Sequence, residues 1–448
     1  MSNSALIIID LQNDFMNMIS ESLIKDITKA VKIARNIKMS IYWIYSNYSK
    51  TGSFGQENIV EDMYNGEEKI CVSGTFGINF IPEIDCLIKS NDIILEKKWF
   101  SCFKENDLHA RLKKAKITNL YFAGVGTNTS IYASIFKAKE LEYKTSLIKD
   151  CTFAENLEKY SNGLDLINQY GSIINLKSFE IEIYTYGSGT KVYYEILKES
   201  INFETLKKEI NFNIMTSHGS PVPRLIAIQG QVIDGKSPLY RHPADEQPFL
   251  TEFSPSTKII RDYLSELLNQ ELNHVLIQYY RDGEDNIGEH SDKTLDIKRG
   301  SNIVNYSLGA TRIMTLKKKD SLIKKNIILS SHSLLVLNPD TNREWLHSIK
   351  QDLRPNKIKD SDELICGGGR ISFTFRTIAT FIDKNGKITG QGEPKIIAVD
   401  DKLEMLKAFS KENHENNFDW EKNYGCGFNA LNFKFIDNHN NNTAVTEI

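Results

Sequence analysis

Residues 370–376 read Arg-Ile-Ser-Phe-Thr-Phe-Arg, a strict alternation of polar and apolar side chains. An extended strand sorts such residues onto two faces, so Arg370, Ser372, Thr374 and Arg376 share one and Ile371, Phe373 and Phe375 the other. Two guanidiniums with two hydroxyls between them suit a dicarboxylate, because arginine offers a rigid fork that lysine lacks. Around this strand lie short β-rich runs at 223–229, 273–280, 302–307, 311–317 and 333–337, separated by turn signals such as Asp282-Gly283 and Asn338-Pro339. Many short strands at this spacing predict an antiparallel sandwich or jelly roll, interrupted by one helix at 256–269.

The first 180 residues follow a different grammar. Ala5-Leu6-Ile7-Ile8-Ile9 is a continuous apolar run that ends at Asp10, as in a strand buried on both faces. Further runs at 40–46, 92–96, 118–123 and 144–149 alternate with helical stretches at 20–37 and 128–141. Strands alternating with helices predict a Rossmann-like α/β domain with a parallel sheet. The expected domains are therefore 1–180 (α/β), 190–384 (β-rich) and a C-terminal extension, 385–448, packing on the second domain. In that extension Glu404 to Phe409 reads as a helix and Phe418-Asp419-Trp420 as an aromatic clasp, with no chemistry assigned to either. The asparagine-rich end, 438–442, is expected to fray.

Composition narrows the function classes. The 448 residues are 40% apolar and 25% charged with a formal charge of −3, so the chain cannot coat nucleic acid or membrane by bulk electrostatics. Its six cysteines form no CxxC pair, and the opening apolar run is too short for a signal peptide or a membrane span. The expected address is nucleus or cytoplasm rather than secretion, with no membrane partner. Of nine histidines only His109 precedes residue 180, which places any imidazole chemistry in the second half.

His290-Ser291-Asp292 places one imidazole and one carboxylate two residues apart in a β-rich context. With a second histidine this becomes the two-histidine, one-carboxylate arrangement that leaves open positions on Fe(II). His347, in Trp345-Leu346-His347-Ser348-Ile349, is the favoured partner; His332, in Ser331-His332-Ser333-Leu334-Leu335, competes with it.

These motifs resemble, in order over roughly 220–382, the AlkB-like branch of the Fe(II)/2-oxoglutarate dioxygenases. Leu276-Ile277-Gln278-Tyr279-Tyr280-Arg281-Asp282-Gly283 looks like the family's strand and turn before the HxD motif, with Gln278 where asparagine is usual. Ser307-Leu308-Gly309 looks like its serine-leucine-glycine strand. The resemblance implies a double-stranded β-helix with His290, Asp292 and His347 on Fe(II). It implies 2-oxoglutarate held by Gln278, Tyr280, Arg370 and Ser372, with Arg376 completing that end of the site, and O2 as co-substrate. It also implies oxidative demethylation of alkylated bases in DNA or RNA, releasing formaldehyde, succinate and carbon dioxide. A base must leave its stack to react. Arg224, Tyr240 and Trp345 are the candidate substrate contacts, against the alternative that the aromatics are core. Arg312, Lys317, Lys318, Lys319, Lys324 and Lys325 flank a hairpin that is either a solvated turn or a phosphate-contacting patch.

Residues 4–178 resemble the isochorismatase-like cysteine hydrolases. Asp10 matches the family's catalytic aspartate, Lys97 its lysine, and Gly74-Thr75-Phe76-Gly77 a family loop. The nucleophile position departs from the pattern: Gly124-Val125-Gly126-Thr127-Asn128-Thr129-Ser130 ends in serine, and a hydroxyl needs a positioned base far more than a thiol does. Three readings stay open for Asp10, Lys97 and Ser130: a silent scaffold, a cysteine-free hydrolase like those acting on vinyl ethers, and a serine variant. A homo-oligomer through this domain is also expected. The alternative for the whole chain is a bifunctional small-molecule enzyme that couples oxidative N-dealkylation to hydrolysis.

Overall fold

A computed structural model describes residues 3–48, 70–395 and 401–436; the end at 438–442 lies outside them. The chain divides into two compact units, Met1–Ile183 and Tyr184–Ile448. The division falls upstream of the Gly187-Ser188-Gly189 loop, which belongs to the second unit through a Ser188 hydroxyl donating to Glu344 at 2.6 Å.

In the first unit, six strands, β1 (Ser4–Ile9), β2 (Ser40–Ser46), β3 (Ile93–Lys97), β4 (Asn119–Val125), β5 (Lys144–Phe153) and β6 (Ser172–Ile174), form a parallel sheet of order 3-2-1-4-5-6. Every residue of β1 is buried, which is why it reads as an unbroken apolar run. The strand order reverses between β1 and β4, and such a switch point opens a crevice at the carboxyl ends of the strands. Asp10 follows β1 there and Ser130 follows β4. The two strands approach so closely that a Cβ on Gly124, at φ +122°, would lie 2.0 Å from the Ile9 carbonyl oxygen. The helices flanking the sheet include Glu21–Asn36, whose N-terminus is capped by Ser20, and Tyr132–Glu140.

The second unit is β-rich. Its strands include β7 (Thr190–Tyr193), β8 (Asn213–Ser217), β9 (Ser220–Gly230), β10 (His274–Tyr280), β11 (Ile287–His290), β12 (Ile303–Gly309), β13 (Arg312–Lys318), β14 (Lys324–Leu329), β15 (Ser333–Leu337), β16 (Trp345–Ile349) and β17 (Arg370–Arg376). One sheet has the central order β8-β9-β10-β17-β12-β15-β7, and a four-stranded sheet has the order β11-β16-β13-β14. The alternation of β17 resolves onto two buried faces. Ile371, Phe373 and Phe375 join a core with Ile277, Val304, Tyr306 and Leu308, covered by Ile260 and Leu264 of the helix Pro255–Leu268. The opposite, polar face turns into the space bounded by the second sheet. A helix at Lys402–His414 and an aromatic cluster of Phe409, Phe418, Tyr424 and Phe428 pack with Leu295 of this unit.

Candidate active site

The metal ligands expected from the sequence converge because strand register brings them together. His290 closes β11 and pairs directly with His347 of β16, and their ring centroids lie 4.2 Å apart. Asp292 Oδ1 sits 3.8 Å from His290 Nε2 and 3.7 Å from His347 Nε2. The three donor atoms all fall within 4.8 Å of one another.

Neighbouring groups prepare His290 and Asp292, whereas His347 Nδ1 is buried without a hydrogen-bond partner. The Nδ1 of His290 lies 2.9 Å from the Gly288 carbonyl, which can only accept, so this nitrogen carries the proton and Nε2 keeps its lone pair. Arg376 spends both Nε (3.1 Å) and Nη2 (2.6 Å) on Asp292 Oδ2, leaving Oδ1 to face the imidazoles. Asn342 clips the Asp292 backbone from both sides, accepting from its N–H at 3.0 Å and donating to its carbonyl at 2.9 Å. Burial pushes the Asp292 carboxyl up, but Arg376 and the two imidazoles outweigh it and hold the group well below the usual carboxylate range. Burial holds both histidines below their ordinary value, His347 adding to the effect on His290. An anionic carboxylate and two neutral imidazoles are the donor set a divalent cation needs.

The cavity beside this triad has a volume of about 670 Å³ and is walled in part by Gln278, Tyr280, Asn305, Ser372 and Thr374, within the range of small-molecule sites. Behind two of these wall residues, Tyr280 and Ser372, Arg370 is wholly buried. It pairs across the sheet with Tyr280, and its Nη2 donates to Ser307 Oγ at 2.8 Å. Its Nε and Nη1 are buried without a hydrogen-bond partner, and burial lowers the guanidinium to about 10. Two orphaned donors on a buried cation are the complement of a carboxylate, and the residues fit 2-oxoglutarate.

The structure places three of the sequence candidates more closely. Arg376 stands at the opposite end of β17 from Arg370, lines the cavity and is engaged by Asp292, so it orders a metal-ligand candidate. Trp345 is core, 5% exposed among Met314, Leu316 and Ile349, with Nε1 donating to Ser188 Oγ at 3.2 Å. Half of the basic hairpin is consumed. Arg312 donates to the carbonyls of Asp282, Asp285 and Lys350, Lys319 Nζ is buried against the Glu412 and Glu415 carbonyls, and Lys317 pairs with Glu289 at 2.7 Å. Lys324 and Lys325 remain exposed.

The other candidates are placed as follows. Tyr240 lines the cavity, but it is buried under the Arg376 guanidinium at 4.2 Å and accepts from the Lys293 N–H at 3.3 Å. Arg224 also lines the cavity and fixes Gln278, its Nε donating to Oε1 at 2.6 Å. His332 stands apart from the triad with Nδ1 on the Tyr306 hydroxyl at 2.8 Å. Sequence reasoning missed Asn305 and Asn342. The polar pair Asn305 and Ser307 inside an apolar strand was a legible signal, whereas nothing in the sequence marks Asn342.

The carboxyl ends of β1 and β3 gather a second buried cluster. Lys97 Nζ lies 2.9 Å from Asp10 Oδ2, and it donates to Ser46 Oγ at 2.7 Å and to Ser130 Oγ at 3.1 Å. Ser46 Oγ in turn donates to Asp10 Oδ1 at 2.8 Å. The three sequence candidates are thus brought together, with Ser46 wedged among them.

Comparison with known proteins follows the same division. The 2OG-Fe(II) oxygenase superfamily model matches residues 201–376 and the isochorismatase domain model residues 4–176. The chain is an isochorismatase domain fused to a 2OG-Fe(II) oxygenase domain. The oxygenase domain is 35% identical over 135 residues to DNA oxidative demethylase ALKBH2 of Mus musculus, an alignment covering 28% of this chain and 51% of that protein. The chain spans about half the length of the curated oxygenase relatives it matches (51%, 46% and 44%). The isochorismatase domain is 28% identical over 181 residues to an Arabidopsis thaliana protein named "Probable inactive nicotinamidase", covering 37% of this chain and 89% of that protein. A solved isochorismatase-like hydrolase from Alkaliphilus metalliredigens aligns at 21% identity and a TM-score of 0.35 over 40% of this chain and 97% of its own. Among the described residues no helix is long and apolar enough to cross a membrane.

Proposed function

We propose that the oxygenase domain is an AlkB-type dioxygenase that oxidatively demethylates alkylated bases in DNA or RNA. The observation that carries this reading is the His290-Asp292-His347 triad opening on a cavity whose wall includes Tyr280 and Ser372, the neighbours of Arg370. The similarity to a DNA oxidative demethylase supports the substrate class. The order of strands β10 to β17, split between two sheets, supports a double-stranded β-helix for this domain. Here His290 Nε2, Asp292 Oδ1 and His347 Nε2 would hold Fe(II), while Arg370, Tyr280, Ser372 and Gln278 would hold 2-oxoglutarate. Bound Fe(II) with 2-oxoglutarate and O2 supplies the oxidation of a C–H bond, with succinate and carbon dioxide as by-products.

The protein's own part is placement. Arg376 keeps Asp292 ionised and turned toward the imidazoles. Arg224 fixes Gln278 so that its amide N–H groups remain free for the co-substrate. Apolar side chains such as Leu276, Met314 and Leu335 line the cavity and limit water around the reacting methyl group. Hydroxylation of an N-methyl carbon gives a product that loses formaldehyde and frees the base.

The experiment is a panel of methylated single- and double-stranded DNA and RNA oligonucleotides, scored for formaldehyde and succinate, with His290→Ala as the control. Failure on every oligonucleotide with substrate-free 2-oxoglutarate turnover intact refutes the nucleic-acid reading and favours a small-molecule N-alkyl substrate.

For the isochorismatase domain we infer a scaffold without hydrolase activity. Both Asp10 oxygens are engaged, one by Lys97 and one by Ser46, and Ser130 Oγ meets the Lys97 ammonium, which cannot take its proton, rather than the Asp10 carboxylate. Any amide hydrolysis lost in Ser130→Ala refutes this.

A further inference from the structure

The sequence assigned no chemistry to the C-terminal segment, and the oxygenase family match ends at residue 376. The helix Lys402–His414 nevertheless reaches the cavity. Leu406, Phe409, Ser410, Asn413 and His414 all line it, and their spacing of three and four residues makes them one helical face. The same helix grips the loop that carries Asp292. Asn413 Oδ1 accepts from the Ser291 N–H at 2.9 Å and from Lys293 Nζ at 3.1 Å. The Glu412 carboxylate accepts from the Thr294 N–H at 3.1 and 3.2 Å and from the Thr294 hydroxyl. Glu412 is 3% exposed and is held from behind by the Tyr424 hydroxyl at 2.6 Å. Trp420 Nε1 donates to the Thr294 carbonyl at 3.1 Å, closing the clasp. Asp292 is thus flanked on both sides by residues tied to this helix, at Ser291 and at Lys293 to Thr294.

We propose that Glu412 and Asn413 are positioning residues for the metal site: the C-terminal helix sets the path of Ser291 to Thr294 and thereby the place of the Asp292 carboxylate between His290 and His347. This rests on the oxygenase assignment above. Groups that orient a metal ligand from behind typically govern about 10–100-fold in metal affinity.

The test is Mn(II) binding to the intact chain by calorimetry, with circular dichroism and Tm measured alongside. Asn413→Ala removes the shared acceptor, whereas Asn413→Asp keeps an oxygen at Oδ1. The alanine variant is expected to weaken Mn(II) binding about 10-fold with an unchanged fold, and the aspartate variant to restore it to within about 2-fold. Glu412→Ala is expected to weaken it further, and Asn413 keeps the test decisive if Glu412→Ala fails to fold. Mn(II) affinity within about 2-fold of wild type in Asn413→Ala overturns the proposal, as does equal weakening in the alanine and aspartate variants. If the wild-type chain itself binds no Mn(II), the oxygenase assignment fails and takes the proposal with it.

Discussion

Arg376→Gln is the most informative single perturbation of the oxygenase site. The guanidinium and the Asp292 carboxylate are 2% and 6% exposed and joined by contacts of 2.6 and 3.1 Å. Removing one partner of so buried a pair costs about 3–5 kcal/mol of stability, because the remaining charge has no solvent to turn to. The loss appears as a lower Tm of the second unit without metal. Metal affinity should fall by about 10–100-fold, since Oδ2 loses its anchor and Oδ1 its orientation.

The pH dependence carries a distinctive sign. In the wild type Asp292 is held below the usual carboxylate range, so its ionised form persists through mild acid and its titration adds no pH dependence to Mn(II) binding between pH 8 and 6. Without Arg376 the largest influence holding it down is gone, and the folded carboxyl rises from its wild-type position. The metal-ready form is then lost as pH falls through that raised value, by up to about tenfold in affinity per pH unit. Calorimetric Mn(II) titrations from pH 8 to 5 read this directly. Combining Arg376→Gln with Asp292→Asn should recover stability but not metal binding, because neither buried charge is left alone. An Arg376→Gln protein with wild-type affinity and the same pH profile refutes the coupling.

Three further outcomes are expected. Arg370→Lys should weaken 2-oxoglutarate binding at least about tenfold while leaving Mn(II) binding intact, because an ammonium cannot replace the two orphaned guanidinium donors; competition binding with unlabelled 2-oxoglutarate measures it. Trp345→Ala should destabilise the second unit by about 3–5 kcal/mol in denaturant melts with unchanged substrate KM, as befits a core residue. Asp10→Asn should lower the stability of the first unit by about 3–5 kcal/mol by stranding the buried Lys97 ammonium, and Lys97→Met in the same chain should recover most of it.

Much of this was legible in the residues, for identifiable reasons. Period two in 370–376 fixes which side chains share a face whatever the sheet around them, and the unbroken apolar run at 5–9 could only be a strand covered on both sides. The spacing in His290-Ser291-Asp292 likewise survives any packing. Register is different, because it is a property of two strands at once. That His290 lies opposite His347, and that His332 points instead to Tyr306, follows from how β11 aligns with β16 and β12 with β15. Arg376 shows the same limit. The sequence put it on the same strand face as Arg370, but only the fold revealed that the far end of that strand meets the loop carrying Asp292.

The sequence by itself therefore determined two units of different grammar, the donor types of a metal site and the charge suited to a dicarboxylate, because local periodicity and side-chain chemistry are carried by the chain. The tertiary structure alone decided that Arg376 meets Asp292 while Arg370 keeps two buried donors unpaired. It turned Trp345, Arg312 and Lys319 inward, away from any partner, and it brought Glu412 and Asn413 to the active site from more than a hundred residues downstream of Asp292. Contacts at that separation depend on how buried faces close on one another, which no stretch of sequence records alone.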